Sequence, residues 1–210
     1  TQLHLARRYY QVGKWEAALS ALERSAQLER AAPTSPKAVD ALAAVSRLRL
    51  QASILHAKGN YKAARQAIEQ ARALIDNHNP KDLRRFGVLN TQATIAIAQK
   101  QFDPAIEMLN EVIRLRSHRF GADSPLLATS LSNLSIAYWK QGENKRALPP
   151  AKRALSLLQT YYGPYDPIVA AMQSNIAILY RAQALPQKAY QYAKQALSIH
   201  QRAHGLHDLR

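Results

Sequence analysis

Apolar and small residues return every three or four positions along almost the whole chain, and short polar breaks cut that pattern into paired segments. In LHLARRYYQVGKWEAALSALERSAQL, residues 3–28, they fall at Leu5, Ala6 and Tyr9 and, after a turn at Gly13, at Trp15, Ala18, Leu22, Ser25 and Leu28. This spacing predicts two amphipathic helices folded back on each other. A long helix is predicted next, to about Lys58, then a Gly59-Asn60 turn and a returning helix with Tyr61, Ala64, Ile68, Ala71 and Leu74 on its buried side. A third pair joins GVLNTQATIAIAQ to FDPAIEMLNEVIRL across Lys100-Gln101. The fourth is SLSNLSIAYWKQGENKRALPPAKRALSLL and the fifth QSNIAILYRAQALPQKAYQYAKQALSI, in which Asn133, Tyr138, Ala147, Ala154 and Leu155 recur 42 residues later as Asn175, Tyr180, Ala189, Ala196 and Leu197. The unit is a repeated helical hairpin.

Boundaries between pairs share one device. Ser35-Pro36, Asn79-Pro80, Ser124-Pro125 and Asp166-Pro167 each place a capping side chain before a proline. The cap accepts an otherwise unpaired N–H, and proline at the first helical position has no N–H to waste. Gly121, Gly163 and Gly205, spaced by 42, are expected to supply the left-handed conformation that ends a helix. The predicted repeats are 1–31, 36–77, 80–118, 125–162 and 167–204, forming a single array within a longer protein. Leu-His-Asp after Gly205 echoes earlier unit starts, so a further repeat or capping helix is expected there. Pro149 and Pro150 are adjacent in the second helix of the fourth pair, where two missing donors should kink that helix or delay its start.

Composition sharpens the picture. Only 7 Gly and 3 Phe among 210 residues, against abundant Ala, Leu, Gln, Lys and Arg, favour an all-α protein. No apolar run approaches the roughly 18 residues that suggest a membrane span, and the first residues, from Thr1, are not signal-like. A cytoplasmic location is favoured, and a periplasmic one would follow if a leader had been removed. Zero cysteines exclude disulfides and thiolate chemistry. A net charge of +15 raises the question of acidic partners or nucleic acid. From Asn144 onward there are nine Lys or Arg against Asp166 and Asp208 alone, so nearly half the excess sits there.

Within each hairpin a small residue of the first helix faces two mostly small positions of the second: Ala6 with Ala18 and Ser25, Ala52 with Ala64 and Ala71, Ala93 with Ala105 and Val112, Ser135 with Ala147 and Ala154, Ala177 with Ala189 and Ala196. Small side chains allow close approach, while Tyr9, Leu55, Tyr138 and Tyr180 fill space toward the next hairpin. With GKWEAA and GNYKAA at the turns, this pattern resembles the tetratricopeptide repeat (TPR) over almost the entire chain. The 42-residue period exceeds the usual 34 or so. The fourth and fifth units, with the closing YGPYDP, look like the kinesin-light-chain type, which is also widespread in bacterial arrays. The resemblance implies an α-solenoid of five stacked antiparallel hairpins in a right-handed superhelix, with first helices on the concave face and second helices on the convex one.

No phosphate loop, nucleophile elbow or zinc motif occurs, so no enzyme, cofactor or metal is expected. His200, His204 and His207 are more simply solvated histidines at a helix C-terminus than metal ligands. The resemblance implies instead a protein-interaction scaffold or sensor module that holds a peptide in the concave groove. The implied peptide-binding positions are Arg7 and Tyr10; Arg49, Ser53 and His56; Asn90, Thr91 and Thr94; Ser132, Asn133, Ile136, Trp139 and Lys140; and Ser174, Asn175, Ile178 and Arg181. An asparagine amide donates and accepts together, which suits an extended peptide backbone. Trp139 is either an anchor for the ligand or packing for the next unit. Arg7, Arg49, Lys140 and Arg181, with no carboxylate among these positions, favour an acidic peptide. A second basic row, Lys145, Arg146, Lys152, Arg153, Lys188 and Lys194, lies on the opposite helices with Tyr190 and Tyr192 nearby, and makes nucleic acid the second choice. A regulatory or targeting domain of a larger enzyme is a further alternative.

Overall fold

A computed structural model describes residues 1–31 and 37–205, and the side chains of 1–29 and 41–202. The expected Ser35-Pro36 start and the Leu-His-Asp echo lie outside the described residues, as do the side chains of His204 and His207. Among the described residues the chain is helical throughout, without a strand. In order the helices are α1 (Gln2–Gln11), α2 (Trp15–Ala31), α3 (Lys37–Ala57), α4 (Tyr61–His78), α5 (Arg84–Ala98), α6 (Phe102–Phe120), a 3₁₀ turn (Pro125–Leu127), α7 (Ala128–Lys140), α8 (Asn144–Tyr162), α9 (Pro167–Ala182) and α10 (Pro186–Gly205).

The contacts divide the chain into two compact units, Thr1–Gln99 and Lys100–Arg210. In the first, α1 pairs with α2, α3 pairs with α4, and α5 packs on both α3 and α4. Its small positions are closed to solvent: Ala6, Ala18, Ala52, Ala64 and Ala71 are all 0% exposed. Around them lie Val45, Ile54, Ile68, Ile75 and Val88. In the second unit α7 pairs with α8 and α9 with α10, while α6 packs on α7 and α8 on α9. Ala147, Ala151 and Ala154 lie flat at that centre, with Leu127, Val169 and Ile176 as its largest fully buried neighbours.

Local chemistry departs from expectation in four places. Asn79-Pro80 does not open a helix. Asn79 ends α4 and accepts from Lys81 N–H at 3.2 Å, and the chain turns again before α5 begins at Arg84, whose N–H reaches Asp82 Oδ1 at 2.8 Å. A second short acceptor three residues on competes for the role of cap, and the later one wins. Ser124 and Asp166 do cap, accepting from Leu126 and Ile168 respectively, with proline next in line.

Gly121 and Gly163 have positive φ, 90° and 85°, but ψ of 155° and 160°. They occupy the extended region open essentially to glycine alone rather than the left-handed helical well, so they redirect the chain away from the helix axis instead of curling it back. Pro149 and Pro150 sit inside α8, which starts on schedule at Asn144 and continues to Tyr162. Tyr61 and Leu28 are more exposed than their spacing suggests, at 37% and 59%. Tyr61 lies instead against His56, ring centroids 5.6 Å apart. The glycine-free turns at Lys100 and Ala184 place those residues at φ 62° and 56°, where the tight hairpin demands the same geometry.

Candidate binding faces on the first helices

In the first unit the implied positions come from α1, α3 and α5. Arg7 is exposed and Tyr10 half-buried, its ring 5.5 Å from that of Trp15. Arg49 is half-buried and lies across α5 at Gly87, where an added Cβ would come within 3.3 Å of its Cδ and Nε. A side chain at 87 would therefore displace the guanidinium. A lone glycine inside a helical pattern is the signal that marks this approach in the sequence.

Neither Arg7 nor Arg49 has a carboxylate within ion-pair distance among the described residues, although Arg47, Arg65, Arg72, Arg84 and Arg85 nearby all do. Burial pushes the Arg49 guanidinium below its ordinary pKa, and the positive charge of Arg7 pushes in the same direction, while Tyr10 opposes them. The group stays charged, since arginine does not lose its proton in proteins. A desolvated cation beside a like charge is a place where an arriving anion is worth more than at an open surface.

The hydroxyls around it serve their own helices. Ser53 donates to Arg49 O at 3.1 Å, Thr91 to Gly87 O at 3.0 Å and Thr94 to Asn90 O at 2.9 Å. Asn90 is 7% exposed and belongs to the interior. His56 is half-buried, and burial lowers its pKa.

In the second unit Ser132, Asn133, Ile136 and Trp139 of α7, and Ser174, Asn175 and Ile178 of α9, are all half-buried, with Lys140 and Arg181 exposed at the helix ends. Lys140 Nζ lies 4.7 Å from the Trp139 ring centre, so the indole is roofed by a cation. The amides of Asn133 and Asn175 make no hydrogen bond within the described protein, although both are short side chains on ordered helices. Ser174, Ile178 and Arg181 share a groove of about 510 Å³ with Tyr190, Leu197 and His200 of α10, which the sequence did not single out.

The basic row on the second helices is largely engaged within the chain. Arg146 donates to Glu143 at 2.6 Å and to the Tyr138 hydroxyl at 3.0 Å, and stacks over that ring. Arg153 donates to Ala122 O at 2.9 Å, and Lys152 and Lys188 lie 5.6 and 5.7 Å from the Tyr180 ring centre. Tyr180 also lies against Tyr192, centroids 5.5 Å apart. Among the described residues no group of three or more metal-ligating side chains converges, and no helix is long and apolar enough to cross a membrane.

A family model described as Tetratricopeptide repeat matches residues 84–160, and a second of the same description matches 169–208. The RxLR effector protein SFI4 of Phytophthora infestans is 35% identical over 65 residues, which is 31% of this chain and 19% of that protein. The chain thus aligns with about a fifth of that relative's length. Among solved structures, a single-substitution form of a Podosopora anserina kinesin light chain protein with nearly identical TPR-like repeats superposes with a TM-score of 0.71 at 23% identity, over 97% of this chain and 94% of that one. BtubC (BKLC) from P. vanneervenii superposes with a TM-score of 0.75 at 21% identity, over 96% and 79%. At these identities the likeness is one of fold.

Proposed function

Because the chain belongs to the tetratricopeptide repeat family, whose helical-repeat fold is a protein–protein interaction scaffold and generally non-catalytic, we propose that it holds an acidic, extended peptide segment along its first helices. The observation that carries this is Arg49: a half-buried guanidinium, next to Arg7, laid over Gly87 and left without a carboxylate. A peptide carboxylate meeting Arg7 and Arg49 makes charge-assisted hydrogen bonds where competing water is scarce. The partnerless amides of Asn133 and Asn175 support backbone pairing to the same class of ligand, each supplying one donor and one acceptor. The five hairpins act in this proposal as a single array.

The test is fluorescence anisotropy with a labelled Asp/Glu-rich peptide, a neutral peptide of the same length and a single-stranded oligonucleotide, at low and moderate salt. The acidic peptide binds at both salts, and Arg49→Ala or Arg7→Ala weakens it about tenfold or more, the worth of roughly one charge-assisted hydrogen bond. Asn133→Ala combined with Asn175→Ala weakens neutral and acidic peptides alike. Unchanged affinity in all these variants overturns the proposal. Binding of the oligonucleotide alone, abolished by salt, would transfer the function to the basic second-helix row.

A further inference from the structure

The groove on the last hairpin is an internal repeat interface left without its covering helix. One repeat earlier, α9 packs on α8, and the α8 residues Ala151, Leu155 and Leu158 are 0%, 8% and 6% exposed. Their counterparts 42 residues on are Ala193, Leu197 and His200. Leu197 is 57% exposed, and Ala193 and His200 are exposed too. Tyr190, at the position of Leu148, is 68% exposed. The same spacing of side chains that buries a helix in the middle of the unit thus ends in an open trough of about 510 Å³.

What fits such a trough is defined by what fits its copy. α9 is a 16-residue helix whose Met172, Ile176 and Leu179, at spacing four and three, are at most 4% exposed. The occupant therefore has large apolar side chains at i, i+4 and i+7 along one helical face. Its flanks are set by charge. Arg181 and His200 line the trough and no acidic residue does, so acidic flanking positions complete it.

A second copy of this chain meets those terms poorly. Its first helix has Leu5 where α9 has Ile176, but Arg8 where α9 has Leu179, and that arginine would be brought toward Arg181 and His200. The net charge of +15 opposes such stacking as well. We infer that the outer face of α9 and α10 docks an acidic amphipathic helix of a partner protein, seated as α9 is seated on α8. This is a separate face from the Arg7–Arg49 cluster and does not rest on it.

A labelled synthetic helix of α9's length tests this, with Met, Ile and Leu at the spacing of 172, 176 and 179 and glutamate on the flanks. Its affinity for the full chain is compared with that of the same helix bearing serine at the three apolar positions, and with a lysine-flanked version. The glutamate helix binds at least tenfold more tightly than either control. Leu197→Asp abolishes that preference while leaving Tm within about 2 °C, as an exposed leucine should. Equal binding of the serine helix, or unchanged binding by Leu197→Asp, overturns the inference. So does a large drop in Tm for Leu197→Asp, which would mean that the chain covers this face itself, or self-association in sedimentation that Leu197→Asp abolishes. Equal binding of the lysine helix overturns its acidic part.

Discussion

Replacing Gly163 with alanine isolates one backbone term from everything else in the structure. At φ 85° and ψ 160° the residue occupies a region that costs a side-chain-bearing residue about 1–3 kcal/mol. A Cβ built there meets no atom within 4 Å, so no packing gain or clash adds to the cost. Alanine also restricts the unfolded chain, which returns about 0.4–1 kcal/mol. The net loss is then roughly 0.5–2.5 kcal/mol, or a fall in Tm of about 2–8 °C for a chain of this length. Far-UV circular dichroism melts and urea titrations read it directly. Gly87→Ala is the control: it lies within α5, where alanine is favoured by about 0.8–1 kcal/mol, and its Cβ meets only the flexible side chain of Arg49. Gly163→Ala falls while Gly87→Ala holds or rises. If Gly163→Ala melts with or above the parent, the extended positive-φ corner is not the geometry of that junction. Gly121→Ala, in the same conformation, should repeat the sign.

Lowering pH from 7 to 5 should destabilise the protein in part through His56. Burial depresses its folded pKa below the unfolded value, so the unfolded state binds more protons and stability is lost as pH falls through that range. His56→Gln should flatten the Tm–pH slope, and an unchanged slope refutes the assignment. Pro149→Ala returns a backbone donor to an exposed position of α8 and should raise the urea midpoint, by up to about 3 kcal/mol in stability. Ile176→Ala removes a fully buried side chain from α9 and should cost about 2–5 kcal/mol in the same titration. Asp166→Ala removes the acceptor for Ile168 N–H and should cost about 0.5–2 kcal/mol.

Helix placement was legible because it depends on side chains close in sequence. Ala6, Ala18, Ala52, Ala64, Ala93, Ala105 and Ala147 could be recognised as small contact positions from spacing alone, and each is 0% exposed. Neighbouring helices need small residues at each crossing, and a 42-residue period repeats that demand in register. The boundaries were less legible where two local signals compete. Asn79-Pro80 has the same form as Ser124-Pro125, yet Asp82, three residues further on, supplies a better acceptor just before Arg84. Exposure failed to follow the pattern where the neighbour is missing rather than the signal. Leu155 and Leu197 are equivalent in sequence, and only the first has a helix to bury it.

The binding face was harder to read than the fold because its determinants come from separate helices. Arg49 and Gly87 are 38 residues apart, and nothing in either segment alone says that the guanidinium crosses the glycine. Counting charges also misjudges which cations are available. The row from Lys145 to Lys194 looks like the stronger basic surface in sequence, but Arg146, Lys152, Arg153 and Lys188 are held by Glu143, Tyr138, Ala122 O and Tyr180. A cation already engaged by an aromatic face or a carboxylate gives up part of that interaction to bind a ligand. Arg49 gives up nothing: it is short of an anion and partly stripped of water, so the weaker-looking pair, Arg7 and Arg49, is where an acidic ligand gains most.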